Sequence, residues 1–171
     1  NDGQWHHLAI VWDGVNGVRR GYIDGVQRYA GTMPPDTMPL DMTGVPTFSI
    51  GAVRSPYAVG EIRHFNGHIC EVRIWTTART QQEIIDNMRR RLDGSEPGLR
   101  AYYRFDDEEG STLRDSGPNG LHGTIVGAQW VVPEDNPLGR SEEWVPLGTF
   151  WSLDWDSPDD TLEATVTARD R

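Results

Sequence analysis

Lysine is missing from this sequence: all 16 basic residues are arginine, against 26 acidic residues and a formal charge of −10. No basic stripe is interleaved with aromatics, and an acidic surface repels phosphate, so general nucleic-acid binding is excluded. The one basic run, Arg89-Arg90-Arg91, falls at the end of an expected helix, where the macrodipole favours cations. Cysteine is nearly missing too. Cys70 stands alone, which rules out an internal disulfide, and a single thiol within a strand pattern reads as a small buried hydrophobe. No apolar run approaches the roughly 20 residues that cross a bilayer, and no basic-then-apolar leader opens the chain, so membrane insertion is not expected. The sequence starts at Asn1 rather than Met and enters a strand almost at once. It reads as a piece of something longer, which makes the rest of its own polypeptide an expected partner.

What the chain has is punctuation, with 19 glycines and 11 prolines, together with 7 tryptophans. Short segments between frequent turns fit a β-sandwich better than a helical bundle. From Trp5 to Trp12 there is no breaker among apolar and β-branched residues, which predicts a strand buried on both faces. Asp24-Gly25 predicts a tight hairpin turn, because that dipeptide tolerates positive φ. Residues 31–47 carry little periodicity and read as a crossing loop, and 47–52 as a short strand. Residues 53–67 are irregular. The run from His68 to Trp75 alternates, with Cys70, Val72 and Ile74 on one side and Ile69, Glu71 and Arg73 on the other. Thr80 and Glu83 have capping-box spacing, Ile84, Ile85, Met88 and Leu92 form an apolar stripe, and Gly94 supplies a stop, which together predict the one helix.

After the helix, Leu99 to Phe105 alternates again. A long polar loop then leads to a strand ending near Val131. Residues 132–143 are polar with proline and glycine, as in a linker. Beyond them, 144–155 and 161–168 predict the two strands of a C-terminal β-hairpin, with Leu162, Ala164, Val166 and Ala168 sharing one face of the second.

The run GQWHHLAIVWDG followed by GYIDGVQ resembles the central strands of laminin-G-like and pentraxin-like jelly rolls. The FNGHICEVRIWTTARTQQEI run, Phe65 to Ile84, is similar to their last core strand and short helix, and residues 96–130 resemble a segment accompanying bacterial members. The resemblance covers residues 1–131 and implies an all-β, concanavalin-like jelly-roll β-sandwich with one short helix. It also implies that the opening strands of such a domain are missing before Asn1, leaving open edges and an uncovered core for outside residues or a partner to complete. The tail, 144–171, resembles a hairpin of bacteriophage tail-hub and baseplate proteins, which implies a second small β domain.

The concanavalin-like fold is shared with β-glucanases, whose retaining members place two carboxyls about 5–5.5 Å apart. Their E-x-D-x-E type of strand motif is absent, so no catalytic residues are assigned and a non-catalytic role is expected. The histidines make no metal-ligand spacing: His6 and His7 point to opposite faces of a strand, and no Cys/His cluster exists. Calcium is the expected ion. Asp106, Asp115 and Asn119, in an acidic loop made flexible by glycine, are its candidate ligands. Arg54, Tyr57 and His64, in the irregular loop, are the candidate ligand-binding residues, since binding residues gather on loops held by a rigid scaffold. Trp12, Trp75 and Tyr102 are further aromatic candidates for stacking sugars. The resulting expectation is a carbohydrate- or surface-binding module of a larger particle, a phage tail or baseplate involved in host attachment. Its partners would be a cell-surface glycan or surface protein and other subunits of the assembly, in a virion or extracellular setting. The alternatives are an adhesion module of a secreted or cell-surface bacterial protein and a purely architectural tail domain.

Overall fold

The computed structural model describes residues 2–32, 48–54, 62–107, 109–131 and 138, with the backbone alone for 53–54, 62, 145–146, 149–152 and 163–170. The chain is an all-β sandwich with one short helix. Its strands are β1 (Trp5–Asp13), β2 (Val18–Ile23), β3 (Val26–Thr32), β4 (Ala52–Arg54), β5 (Ile62–His64), β6 (Gly67–Trp75), β7 (Leu99–Tyr103), β8 (Thr112–Leu113), β9 (Gly123–Val126), β10 (Val145–Pro146), β11 (Thr149–Ser152) and β12 (Glu163–Asp170). The helix α1 is Gln81–Asn87. Seven strands make the main sheet in the order β10-β6-β12-β1-β2-β3, with β7 also on β6; β11-β9-β8 form a second sheet and β4-β5 a small third.

The expected turn between β2 and β3 is present, with Asp24 and Gly25 both at positive φ (52° and 75°). The capping box also forms: the Thr80 hydroxyl accepts from Glu83 N, and the Glu83 carboxylate accepts from Thr80 N at 2.8 Å. The helix stops at Asn87, well before Gly94, and the cause comes from the sheet beneath it. Arg73 on β6 sends its guanidinium to the carbonyl oxygens of Asn87 and Arg90, satisfying acceptors at the helix end that another turn would have used.

Three expectations about strands are corrected. Trp5 to Trp12, expected to be buried on both faces, alternates instead, with Leu8 and Ile10 exposed between the buried His7, Ala9 and Val11. On β6 the alternation is broken by a bulge at Glu71, whose φ of 54° lies in the left-handed region; the register with β12 slips at Thr165/Thr167. Ile69 therefore joins Val72 and Ile74 in one core cluster, and Cys70 moves off that face. The tail strands do not form a hairpin with each other. β11 pairs with β9, whereas β12 lies between β1 and β6, with Trp5 to Val11 opposite Arg169 to Glu163.

The main sheet has two differently covered faces. On one, α1 lays Ile84 against Ala9, Val11 and Tyr22, while Trp75, Leu92, Leu99 and Tyr102 form a neighbouring cluster. On the other, Ile69, Val72, Ile74 and Tyr103 pack against Ile50 and Leu113, with Phe48, Ile125 and Trp130 around them. That second layer covers the β6-β7 half. Cross-strand partners share a face, so Ile10, opposite Ala164, which is itself opposite Ile74, belongs to the same face, as does Leu8. Ile10 is nevertheless 63% exposed. Among the described residues, no second layer lies over Ile10 and Leu8.

Candidate functional site

Three places gather chemistry. The first is the β4-β5 hairpin. Arg54 stands opposite Ile62 and His64 opposite Ala52, two rungs apart on the same ladder. The hairpin thus brings two of the three candidate binding residues onto one small sheet, with His64 exposed. Tyr57 lies outside the described residues. The fold holds the hairpin through Phe65, whose amide donates to Gly51 O at 2.8 Å and whose ring packs on the core.

The second is a buried polar cluster on the helix side. Glu71, aimed there by the bulge, accepts from Arg73 at 2.7 Å and from the Tyr102 hydroxyl at 2.6 Å, while Arg91 approaches its other oxygen at 3.8 Å. Glu71 and Arg73 are almost wholly buried. Burial, with the Glu71 charge beside it, pushes the Tyr102 phenol up to about 12. The Arg73 and Arg104 guanidiniums flank the Tyr102 ring at 5.5 and 5.2 Å. Every strong group in this cluster faces a protein partner, so it fixes the helix and the 88–105 segment against the sheet. Trp75 is equally buried, under Arg79 at 4.3 Å, and so, like Tyr102, it presents no surface for a sugar. Trp12 is half-buried beneath Arg19 at 5.3 Å.

Beside this cluster a small cleft opens between α1 and the sheet, lined by His7, Arg73, Trp75, Arg79, Glu83 and Asn87 among others. His7 is buried there and its Nδ1 has no hydrogen-bond partner. Burial, reinforced by the Arg73 charge, lowers its imidazole to about 4. On the opposite face of β1, His6 is held by Asp24 at 2.7 Å and by Asp2 at 3.1 Å. This His6 clamp was not read from the sequence. Its partners are Asp2, four residues earlier, and Asp24, in the turn that ends the neighbouring strand β2.

The third is the acidic loop, whose residues do different work from that expected. Asp115 is buried and its two oxygens accept from the amides of Tyr102, Gly117 and Leu121 at 2.7–2.8 Å, which staples the loop to β7. Asn119 donates to Arg100 O at 2.7 Å, and Asp106 faces Arg91 at 3.6 Å. Asp107 accepts from Arg114 N, and burial holds its carboxyl above the usual range. Asp106, Asp115 and Asn119 are thus not brought together around a common point. Among the described residues, no three His, Cys, Asp or Glu side chains converge in a way that could hold a metal ion.

Comparison with known proteins agrees with the geometry. A laminin-G-type family of the concanavalin A-like lectin/glucanases superfamily matches residues 1–85. Neuronal pentraxin-1 of Homo sapiens is 32% identical over 91 residues, covering 49% of this chain and 19% of the pentraxin. The rat and mouse proteins match over the same extent at the same identity. The chain spans about a fifth of the length of these relatives. No solved structure matches it.

Proposed function

Since the chain carries a laminin-G-like, pentraxin-like jelly-roll domain, which belongs to a family of ligand-binding modules, we propose that it is a non-catalytic module recognising a cell-surface glycan or surface protein. The observation that supports this reading most is the β4-β5 hairpin, which sets Arg54 and His64 two rungs apart at the edge of a rigid sandwich, with Tyr57 in the segment between them. A hydrolytic role has less support. Glu71, the most deeply buried acid among the described residues, has Arg73 and Tyr102 already bound to it, and retaining hydrolysis needs a second carboxyl about 5–5.5 Å away.

The module works as part of a larger extracellular assembly, with other subunits as partners. A phage tail or baseplate is the first setting; it rests on the sequence likeness of 144–171 alone, since the strands of that segment pair with β9, β1 and β6 and not with each other. A secreted or cell-surface bacterial adhesin is the second. Single-copy binding is weak in either case, and display of several copies raises avidity. The test is to present the chain in oligomerised form to a glycan array and to whole cells, and to assay the same glycans for cleavage. Binding that is lost on His64→Ala with no sugar released is the expected result. Released sugar would sink the non-catalytic reading, and absence of binding to any surface would leave an architectural role.

A further inference from the structure

We propose that α1 is an acid-released cover: protonation of His7 beneath it lifts the helix off the sheet and bares the cluster of Ala9, Val11 and Tyr22, while the rest of the sandwich stays folded. His7 lines the cleft under α1, where it is 7% exposed and its Nδ1 has no hydrogen-bond partner among the described residues. A buried imidazole held by nothing gains solvent only if the cleft opens. The wall that gives most easily is α1, since of its seven residues only Ile84 is buried. Its other attachments are polar or peripheral. Gln81 donates to Gly25 O at 2.8 Å, Ile85 lies so close on the β2-β3 turn that a Cβ at Gly25 would meet its Cγ1 at 2.6 Å, and Arg73 donates to Asn87 O at 2.7 Å. An element with so few buried apolar contacts opens first.

The groups that face His7 from each element around it set the direction. From β6 the Arg73 guanidinium lines the cleft, with Glu71 bound to it at 2.7 Å. From α1 come Arg79 and Glu83, paired with each other at 3.1 Å. On the neighbouring strand, β12, uncharged Thr167 stands opposite His7, and opposite Thr167 in turn is Cys70, a thiol that burial keeps neutral. Asp24, in the β2-β3 turn, favours a charged ring, but its carboxylate is already shared by the His7 amide and the His6 ring. A proton on His7 therefore adds an unsolvated positive charge beside Arg73. Burial first and the Arg73 charge second lower the ring to about 4 from 6.5. The closed cleft refuses the proton and an opened one takes it, so opening is favoured about 50-fold more at pH 4.5 than at pH 7. The capping box survives that window, because the Thr80 amide holds the Glu83 carboxyl below its usual value.

Hydrogen exchange of the full chain, followed amide by amide by NMR and expressed as protection factors so that the intrinsic pH dependence drops out, tests the proposal. The Ile84 and Met88 amides, which donate to Thr80 O and Ile84 O, report on α1; those of Ser116 and Ile125, which donate to Tyr102 O and Ser111 O, report on the rest of the sandwich. Between pH 7 and 4.5 the first pair should lose up to about 50-fold in protection while the second pair keeps it. His7→Gln should hold α1 protection level across the same range. The His7 ring signals of the parent give a second reading that needs no variant, since the loss of α1 protection should track protonation of that ring. Protection at Ile84 and Met88 that ignores pH overturns the proposal, as does a loss that persists in His7→Gln. A loss that reaches Ser116 and Ile125 together with α1 is global unfolding and overturns it as well, and so does a His7 ring that protonates with α1 still closed. None of these outcomes depends on whether the β4-β5 hairpin binds a glycan.

Discussion

Ile74 on β6 and Ile10 on β1 occupy the same face of the same sheet, each opposite Ala164 on β12, yet Ile74 is fully buried and Ile10 is 63% exposed. Around Ile74 the second layer brings Ile50 and Leu113, while over Ile10 and Leu8 that layer is missing among the described residues. Strand pattern and pairing are alike in the two halves. What separates them is the neighbouring layer, and burial in a sandwich is therefore a property of two sheets, whereas alternation is a property of one strand.

The largest effect should come from the strand at the border between the halves. β12 pairs with β1 at seven of its residues and with β6 at seven, six of them shared. Removing residues 163–171 leaves both neighbours with unpaired edges and severs the covered half from the open one. Thermal unfolding followed by circular dichroism should lose its cooperative transition. A sharp transition retained near the parent midpoint would mean that the two halves do not depend on β12. Next in size, Ile74→Ala should cost about 2–5 kcal/mol by leaving a cavity in a packed core, whereas Ile10→Ala in dilute solution should cost under about 1 kcal/mol. Equal losses in urea titrations would erase the distinction between the halves.

The sequence announced features that are local. The Asp24-Gly25 turn and the Thr80/Glu83 capping box each depend on residues a few positions apart, and each is found, whereas the expected burial of β1 on both faces is not, because cover on one of them has to come from a distant layer. Features set by distant residues were not legible. Nothing in the string around Glu71 signals a left-handed backbone, because the bulge answers to the register of β12, and so Cys70 was placed on the wrong face. The helix was read to Gly94 because Arg73, which ends it at Asn87, lies on another element. The three backbone amides that bind Asp115 are not legible either, because spacing gives an acid's neighbours and not its partners. Of the candidate binding residues, Arg54 and His64 come together on one hairpin because a short antiparallel pair keeps near neighbours near.

Adjacent histidines sharpen the same comparison through pH. His7 lies under α1, where burial first and the Arg73 charge second lower its folded value to about 4 from 6.5. The unfolded chain therefore takes up a proton that the folded one refuses. Stability from the neutral ring is complete above about pH 6.5 and is lost as pH falls toward 4, to the extent of about 3 kcal/mol. Melting between pH 7 and 4 should show this fall in the parent and a shallower one in His7→Leu. Parallel curves would mean that the ring reaches solvent.

The smallest effect belongs to His6, on the opposite face of the same strand. Its hydrogen bond to Asp24, then that to Asp2, raise its imidazole above 6.5, with partial burial pulling the other way. Asp24 ends below its ordinary value although its own burial pushes it up, because His6 and the His7 amide both donate to it. The sign is the reverse of that for His7. A protonated His6 stabilises the fold fully below about pH 6.5, and the contribution fades as pH rises through the elevated folded value. The side chain is 38% exposed and Asp2 more so, which leaves solvent and salt to screen most of the attraction. His6→Gln should therefore melt slightly below the parent at pH 5.5 and together with it at pH 9, with the gap closing in added salt. A gap that widens toward pH 9 would show that the contact acts through the neutral ring, and a gap that ignores salt would show that it acts through packing.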